Sequence, residues 1–211
     1  MTLVFKPKDL ILFQGDSITD AARLAFEYDD LGVGYAAKAA RWLQATYPAM
    51  GLRFANRGIG GNRVRDLRAR WTEDAIELQP DWVSILIGIN DTWRRYDHDD
   101  PTSAEEFEGD YRHILERVKN ETEARIIMME PFVLPTPPDR RGWREDLGPK
   151  IEVVRALARE FADVFVPLDG VFARASIHFG PEYWAHDGVH PTQVGYMLIA
   201  REWLRAVGFE N

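Results

Sequence analysis

No cysteine occurs in the 211 residues, which excludes disulfides, zinc–thiolate sites and a cysteine nucleophile. Long apolar runs are missing too: nowhere do about 18 apolar residues follow one another, so no membrane-spanning helix is expected. Positive charge is in deficit, with 26 Lys and Arg against 34 Asp and Glu and a formal net charge of −8. No Lys/Arg-rich block offers the basic face that a phosphate backbone needs, which argues against nucleic acid as a partner. The first stretch, MTLVFKPKDLILFQGD, has short apolar segments and no small-residue cleavage site, so no signal peptide is read and a cytoplasmic location is expected.

What remains is ordinary soluble-protein composition, 45% hydrophobic and 28% charged, at a length that suits one domain spanning residues 1–211. Short apolar runs at Leu10–Phe13, Leu52–Ala55, Trp82–Ile87, Arg125–Met129 and Val164–Val166 read as buried strands. Between them, Tyr35–Tyr47, Val64–Leu78, Ser103–Lys119 and Leu147–Phe161 carry helical spacing, and Pro191–Val207 closes the chain as another amphipathic helix. Strands alternating with helices predict a three-layer α/β/α sandwich around a parallel sheet. The segment Pro131–Asp146, with four prolines, is the one irregular stretch; it reads as a stiff surface connection, a lid or an oligomer contact.

Ligands of an open parallel sheet sit at the carboxyl ends of its strands. There the sequence places GDS, NRGIGGN and GIND, and later AHDGVHPT. Ser17 in such a turn is either a helix N-cap or a nucleophile raised above the sheet. The G-x-S-x-G elbow is absent, since Thr19 follows two residues after Ser17. His190 is the side chain whose acidity suits a base for that hydroxyl, and Asp187, three residues earlier, could hold the imidazole in the right tautomer. Read blandly, the same pair bonds its own turn and caps a helix, with Pro191 opening that helix. The GIGGN segment fits neither phosphate-loop pattern. It is either a turn or a place where backbone N–H groups meet a reacting oxygen, and Asn90 is likewise a turn former or an amide donor. His178, His186 and His190 do not have metal-ligand spacing.

Taken together and in order, GDSITD, NRGIGGN, GIND and DGVH resemble the four blocks of the SGNH (GDSL-type) serine hydrolases, with Ile18 where the signature has leucine. The resemblance implies a flavodoxin-like fold with a five-stranded parallel sheet. It implies Ser17 as nucleophile, Asp187 and His190 as its partners, and an oxyanion hole of the Ser17 and Gly61 amides with the Asn90 side chain. The longer stretches NRGIGGNRVRDLRARW, DWVSILIGINDTWRRYD and WAHDGVHPT are similar to bacterial acetyl xylooligosaccharide esterases. That likeness implies deacetylation of short xylan fragments, no cofactor and a homo-oligomer. Asp16, Trp93, Tyr96 and Trp184 are candidate substrate contacts, with Trp143 a further aromatic for the wall of the site. Trp42, Trp71, Trp82 and Trp203 read as packing, and Arg57, Arg63 and Arg94 as solvated surface. The alternatives are a lysophospholipase or acyl thioesterase on the same scaffold, and a carbohydrate-binding module with a dead site. The charged segments EYDD and RRYDHDD speak against the apolar groove a lipid substrate needs.

Overall fold

The structure, a computed structural model, describes residues 2–23 and 30–210; most of the EYDD segment lies outside them. Five strands form one sheet: β1 (Leu10–Gly15), β2 (Arg53–Asn56), β3 (Trp82–Leu86), β4 (Arg125–Met129) and β5 (Val164–Val166). All pairs are parallel and the order is β2-β1-β3-β4-β5, so the chain winds one way from β1 to β2 and the other way from β3 onward. The direction therefore reverses between β1 and β3, and a crevice opens above their carboxyl ends.

Nine helices accompany the strands among the described residues: α1 (Ser17–Asp20), α2 (Tyr35–Thr46), α3 (Val64–Trp71), α4 (Ile89–Asp97), α5 (Ala104–Glu121), α6 (Arg144–Phe161), α7 (Leu168–Ala175), α8 (Pro181–Trp184) and α9 (Gln193–Ala206). Alternate strand side chains feed two separate cores, as the period of two requires. Ile11, Phe13, Leu86, Ile127 and Met129 pack with Tyr35 and Ala39 of α2 and Ile199 and Trp203 of α9. Leu12, Val83, Ile85, Ile126 and Met128 pack with Leu67 of α3, Tyr111 and Leu115 of α5, and Val154 of α6. Both faces being covered explains strands that read as unbroken apolar runs. Ser84, the polar exception inside β3, accepts a hydrogen bond from the Trp203 indole at 3.0 Å.

Several expectations change. The helix read over Val64–Leu78 is α-helical only to Trp71; Thr72–Ile76 widens to a π turn, with the Glu77 amide bonded to the Thr72 carbonyl at 2.9 Å. Pro191 does not open the last helix: it pairs with Ala185 in an isolated bridge, and Thr192 caps α9 by accepting from the Gly195 amide at 3.1 Å. The irregular stretch contains a 3-10 turn, Pro138–Trp143, running directly into α6. Trp42, expected to pack, is 43% exposed and lines a groove along α9 with Trp184 and Met197. Trp71, Trp82 and Trp203 are buried.

Candidate active site

At the rim, β1 and β3 approach so closely that Gly15 has no room for a side chain. A Cβ there would lie 2.3 Å from the Leu86 carbonyl oxygen and 2.4 Å from the Thr19 hydroxyl. The chain passes through this gap and turns at once into α1. Asp16, not Ser17, is the N-cap: its Oδ1 accepts from the Ile18 amide at 2.9 Å. The Ser17 hydroxyl is thus released from capping, and it meets Nε2 of His190, 173 residues later, at 2.8 Å. Nδ1 of His190 lies 2.6 Å from Oδ2 of Asp187. With that carboxylate accepting the Nδ1 proton, Nε2 is left to accept the serine proton.

Asp187 also receives the amides of Val189 at 3.0 Å and His190 at 2.7 Å on its other oxygen. Burial alone would raise its pKa; the His190 ring and these two amides outweigh that and hold the carboxyl well below the usual carboxylate range. The bond to Asp187 in turn raises His190 above an ordinary histidine, with the nearby Asp16 charge adding to it and partial burial opposing it.

Two amides and one side chain stand ready as donors. Among the described residues neither the Ser17 nor the Gly61 amide has a hydrogen-bond acceptor, whereas the Gly60 amide is engaged by Asp20 Oδ2 at 3.1 Å. Asn90, in the first turn of α4, gives one amide hydrogen to the Asn62 carbonyl at 3.0 Å and keeps the other. The next residue, Asp91, is buried and accepts from the Val64 amide at the start of α3, with 3.2 Å to Oδ2. Successive residues of α4 therefore hold both ends of the Asn62–Val64 segment that follows the glycines. Asp20 and Asp91 were not singled out from sequence; their place at the ends of the GDSITD and GIND segments is the signal that marks them.

Of the expected aromatic substrate contacts, Trp93 stands beside the chemistry, its ring centroid 5.7 Å from that of His190. Tyr96 stacks on Trp143 at 5.1 Å, and its hydroxyl donates to the Gly142 carbonyl at 3.1 Å. Trp184 packs edge-on against Tyr183 and lines the α9 groove, which none of Ser17, Asn90 and His190 lines. Asp16 is 1% exposed in this structure, its carboxylate capping α1. Desolvation pushes its pKa up to about 7. Arg57 and Arg63 are not solvated surface either, at 7% and 6% exposure. Arg63 is held by Asp100 at 2.5 Å and Arg57 lies 3.7 Å from Asp74. Arg94 is partly buried, paired with Asp97 at 2.6 Å. Among the described residues no group of three His, Asp or Glu side chains converges as metal ligands, and no helix is long and apolar enough to cross a membrane.

A hydroxyl, an imidazole and a carboxylate in series, with the free Ser17 amide next to the hydroxyl, can activate an alcohol and stabilise an oxyanion. Comparison with known proteins agrees with that chemistry. The GDSL-like lipase/acylhydrolase family matches residues 13–198. An acetylxylan esterase of Geobacillus stearothermophilus is 40% identical over 208 residues, covering 95% of this chain and 94% of that protein. A crystal structure of that esterase superposes with a TM-score of 0.89 at 39% identity, covering 99% of this chain and 98% of the other. A protein of Parabacteroides merdae designated GDSL-like lipase superposes at 0.93 with 34% identity over the whole of both chains. The chain belongs to the GDSL-like lipase/acylhydrolase family and is a carboxylic ester hydrolase.

Proposed function

We propose that the protein is a serine esterase that removes acetyl groups from acetylated xylooligosaccharides through an acetyl-Ser17 intermediate. The observation that carries the reading is the chain of contacts from Ser17 through His190 to Asp187, at 2.8 and 2.6 Å. His190 takes the Ser17 proton as the oxygen attacks the ester carbonyl. The Ser17 and Gly61 amides and the Asn90 side chain receive the oxyanion. His190 then protonates the leaving sugar oxygen, and water repeats the sequence on the acetyl-enzyme to release acetate. Asp187, held low by three donors, keeps the imidazolium paired throughout. No cofactor enters any of these steps.

The choice of acetylated xylooligosaccharides is supported by the Geobacillus acetylxylan esterase relative and by Trp93 standing beside His190, where an apolar ring face suits a sugar. The same proposal takes residues 1–211 as one domain of a cytoplasmic homo-oligomer; light scattering of the purified protein tests the assembly, and a monomer would overturn that part. Substrate is tested by acetate release from acetylated xylooligosaccharides, acetylated chitin fragments and simple aryl esters, with 4-nitrophenyl acetate, butyrate and octanoate as a chain-length series. The expected order places the xylan fragments and the acetate ester first. A preference for octanoate would refute the small-acyl assignment and favour a lipid or thioester substrate.

A further inference from the structure

The segment read from sequence as a surface connection, a lid or an oligomer contact lies directly against the Asp187–His190 loop. The Leu134 amide donates to the Gly188 carbonyl at 2.8 Å. Gly188, at φ +81°, faces the segment so closely that a Cβ would lie 2.2 Å from the Thr136 carbonyl oxygen, 2.6 Å from that of Leu134 and 3.2 Å from Cγ of Arg140. Arg140 completes the contact: its Nε donates to the Asp187 carbonyl at 3.2 Å. Its guanidinium carbon sits 3.9 Å from the Trp143 ring centroid and 5.1 Å from that of Trp93. Trp93 is the ring beside His190, and its centroid is 5.3 Å from that of Trp143. One guanidinium thus touches the backbone of the carboxylate residue and the aromatic wall of the imidazole.

We infer that Arg140 is a positioning residue for the hydrolytic reaction, fixing Asp187 and Trp93 on two sides of His190. The inference rests on the Ser17–His190–Asp187 reading above. Arg140 also pairs with its neighbour Asp139 at 2.6 Å, so its charge is already matched and its planar fork is the feature in use. A guanidinium can donate through Nε to a carbonyl while its carbon sits over the Trp143 ring; an ammonium has no planar fork that does both. A shift of the imidazole by about 1 Å from productive geometry lowers turnover by on the order of 10²-fold.

The test is R140K, which keeps the charge and most of the stem, with retention of the fold checked by its melting curve. The expected result is a 10- to 100-fold fall in kcat with KM within about threefold of wild type. The acid limb of kcat/KM should also move to lower pH, because the bond to Asp187 is the largest contributor holding His190 up, Asp16 being the other acid that raises it. Wild-type kcat, a loss confined to KM, or an unmoved acid limb would overturn the assignment. Labelling with an organophosphorus fluoride separates the two layers. Absence of label on Ser17 in the wild type would sink the hydrolase mechanism itself. Label on Ser17 at equal rates in wild type and R140K would sink only the role of Arg140.

Discussion

Asp16 places a carboxylate where water cannot reach it. Its Oδ1 is used by the Ile18 amide, but Oδ2 is buried with no hydrogen-bond partner among the described residues. Desolvation raises the group from 3.8 to about 7, against the smaller opposing effects of the Ile18 bond and of His190. The folded state therefore binds this proton more tightly than the unfolded chain does. Below about pH 4 both states are protonated and the contribution is complete. As pH rises from 4 through 7 the unfolded aspartate ionises first, and stability is lost. The loss levels off above pH 7 at about 4 kcal/mol, from a gap of roughly three pH units at 1.36 kcal/mol each. D16N cannot ionise and keeps the cap, since asparagine is an equally good N-cap acceptor. Its buried amide hydrogens would lack acceptors, at a cost of about 1–3 kcal/mol. The variant should then be more stable than wild type by about 1–3 kcal/mol at pH 8 and less stable at pH 4. Urea unfolding followed by tryptophan fluorescence at pH 4, 6 and 8 measures the difference, in which titrating groups not coupled to Asp16 cancel; His190, which is coupled to it, does not. A stability difference that does not change with pH would refute the reasoning.

Two further predictions concern the chemistry. N90A removes a donor from the proposed oxyanion hole and should lower kcat on the order of 10²–10³-fold with little change in KM, read from initial rates on an acetyl ester. D187N removes the main cause of the raised His190. Protonated His190 cannot accept the serine proton, so activity falls below its titration point; D187N should move that acid limb to lower pH and lower kcat by about 10⁴-fold, both read from a pH–rate profile.

The sheet was legible because its strands, buried on both faces, are brief and uniformly apolar; all five runs lie at the strand positions within a residue or two. Four helices escaped for a shared reason. α1 and α8 are single turns, α7 spans eight residues, and the apolar stripe of α4 is only three positions long, Ile89, Trp93 and Tyr96. The extra helices leave the sandwich unchanged because none of them interrupts the strand order. At the site, Ser17, Asn90, Asp187 and His190 stood out because small polar residues collected where strands should end. The supporting residues did not stand out. Arg63 is buried by Asp100 and Arg57 lies beside Asp74, partners far along the chain with no local signature. Arg140 likewise sits in a proline-rich stretch that carries no periodic pattern, and its contacts to Asp187 and Trp93 appear only once the chain has folded.

The acyl-enzyme is the most direct test of the whole account. Rapid quenching of the protein with acetylated xylooligosaccharide, followed by peptide mass analysis, should find one acetyl group on the peptide holding Ser17 and none after H190A or S17A substitution. Acetate release at wild-type rate by S17A, or an acetyl group on any other residue as the turning-over intermediate, would contradict it.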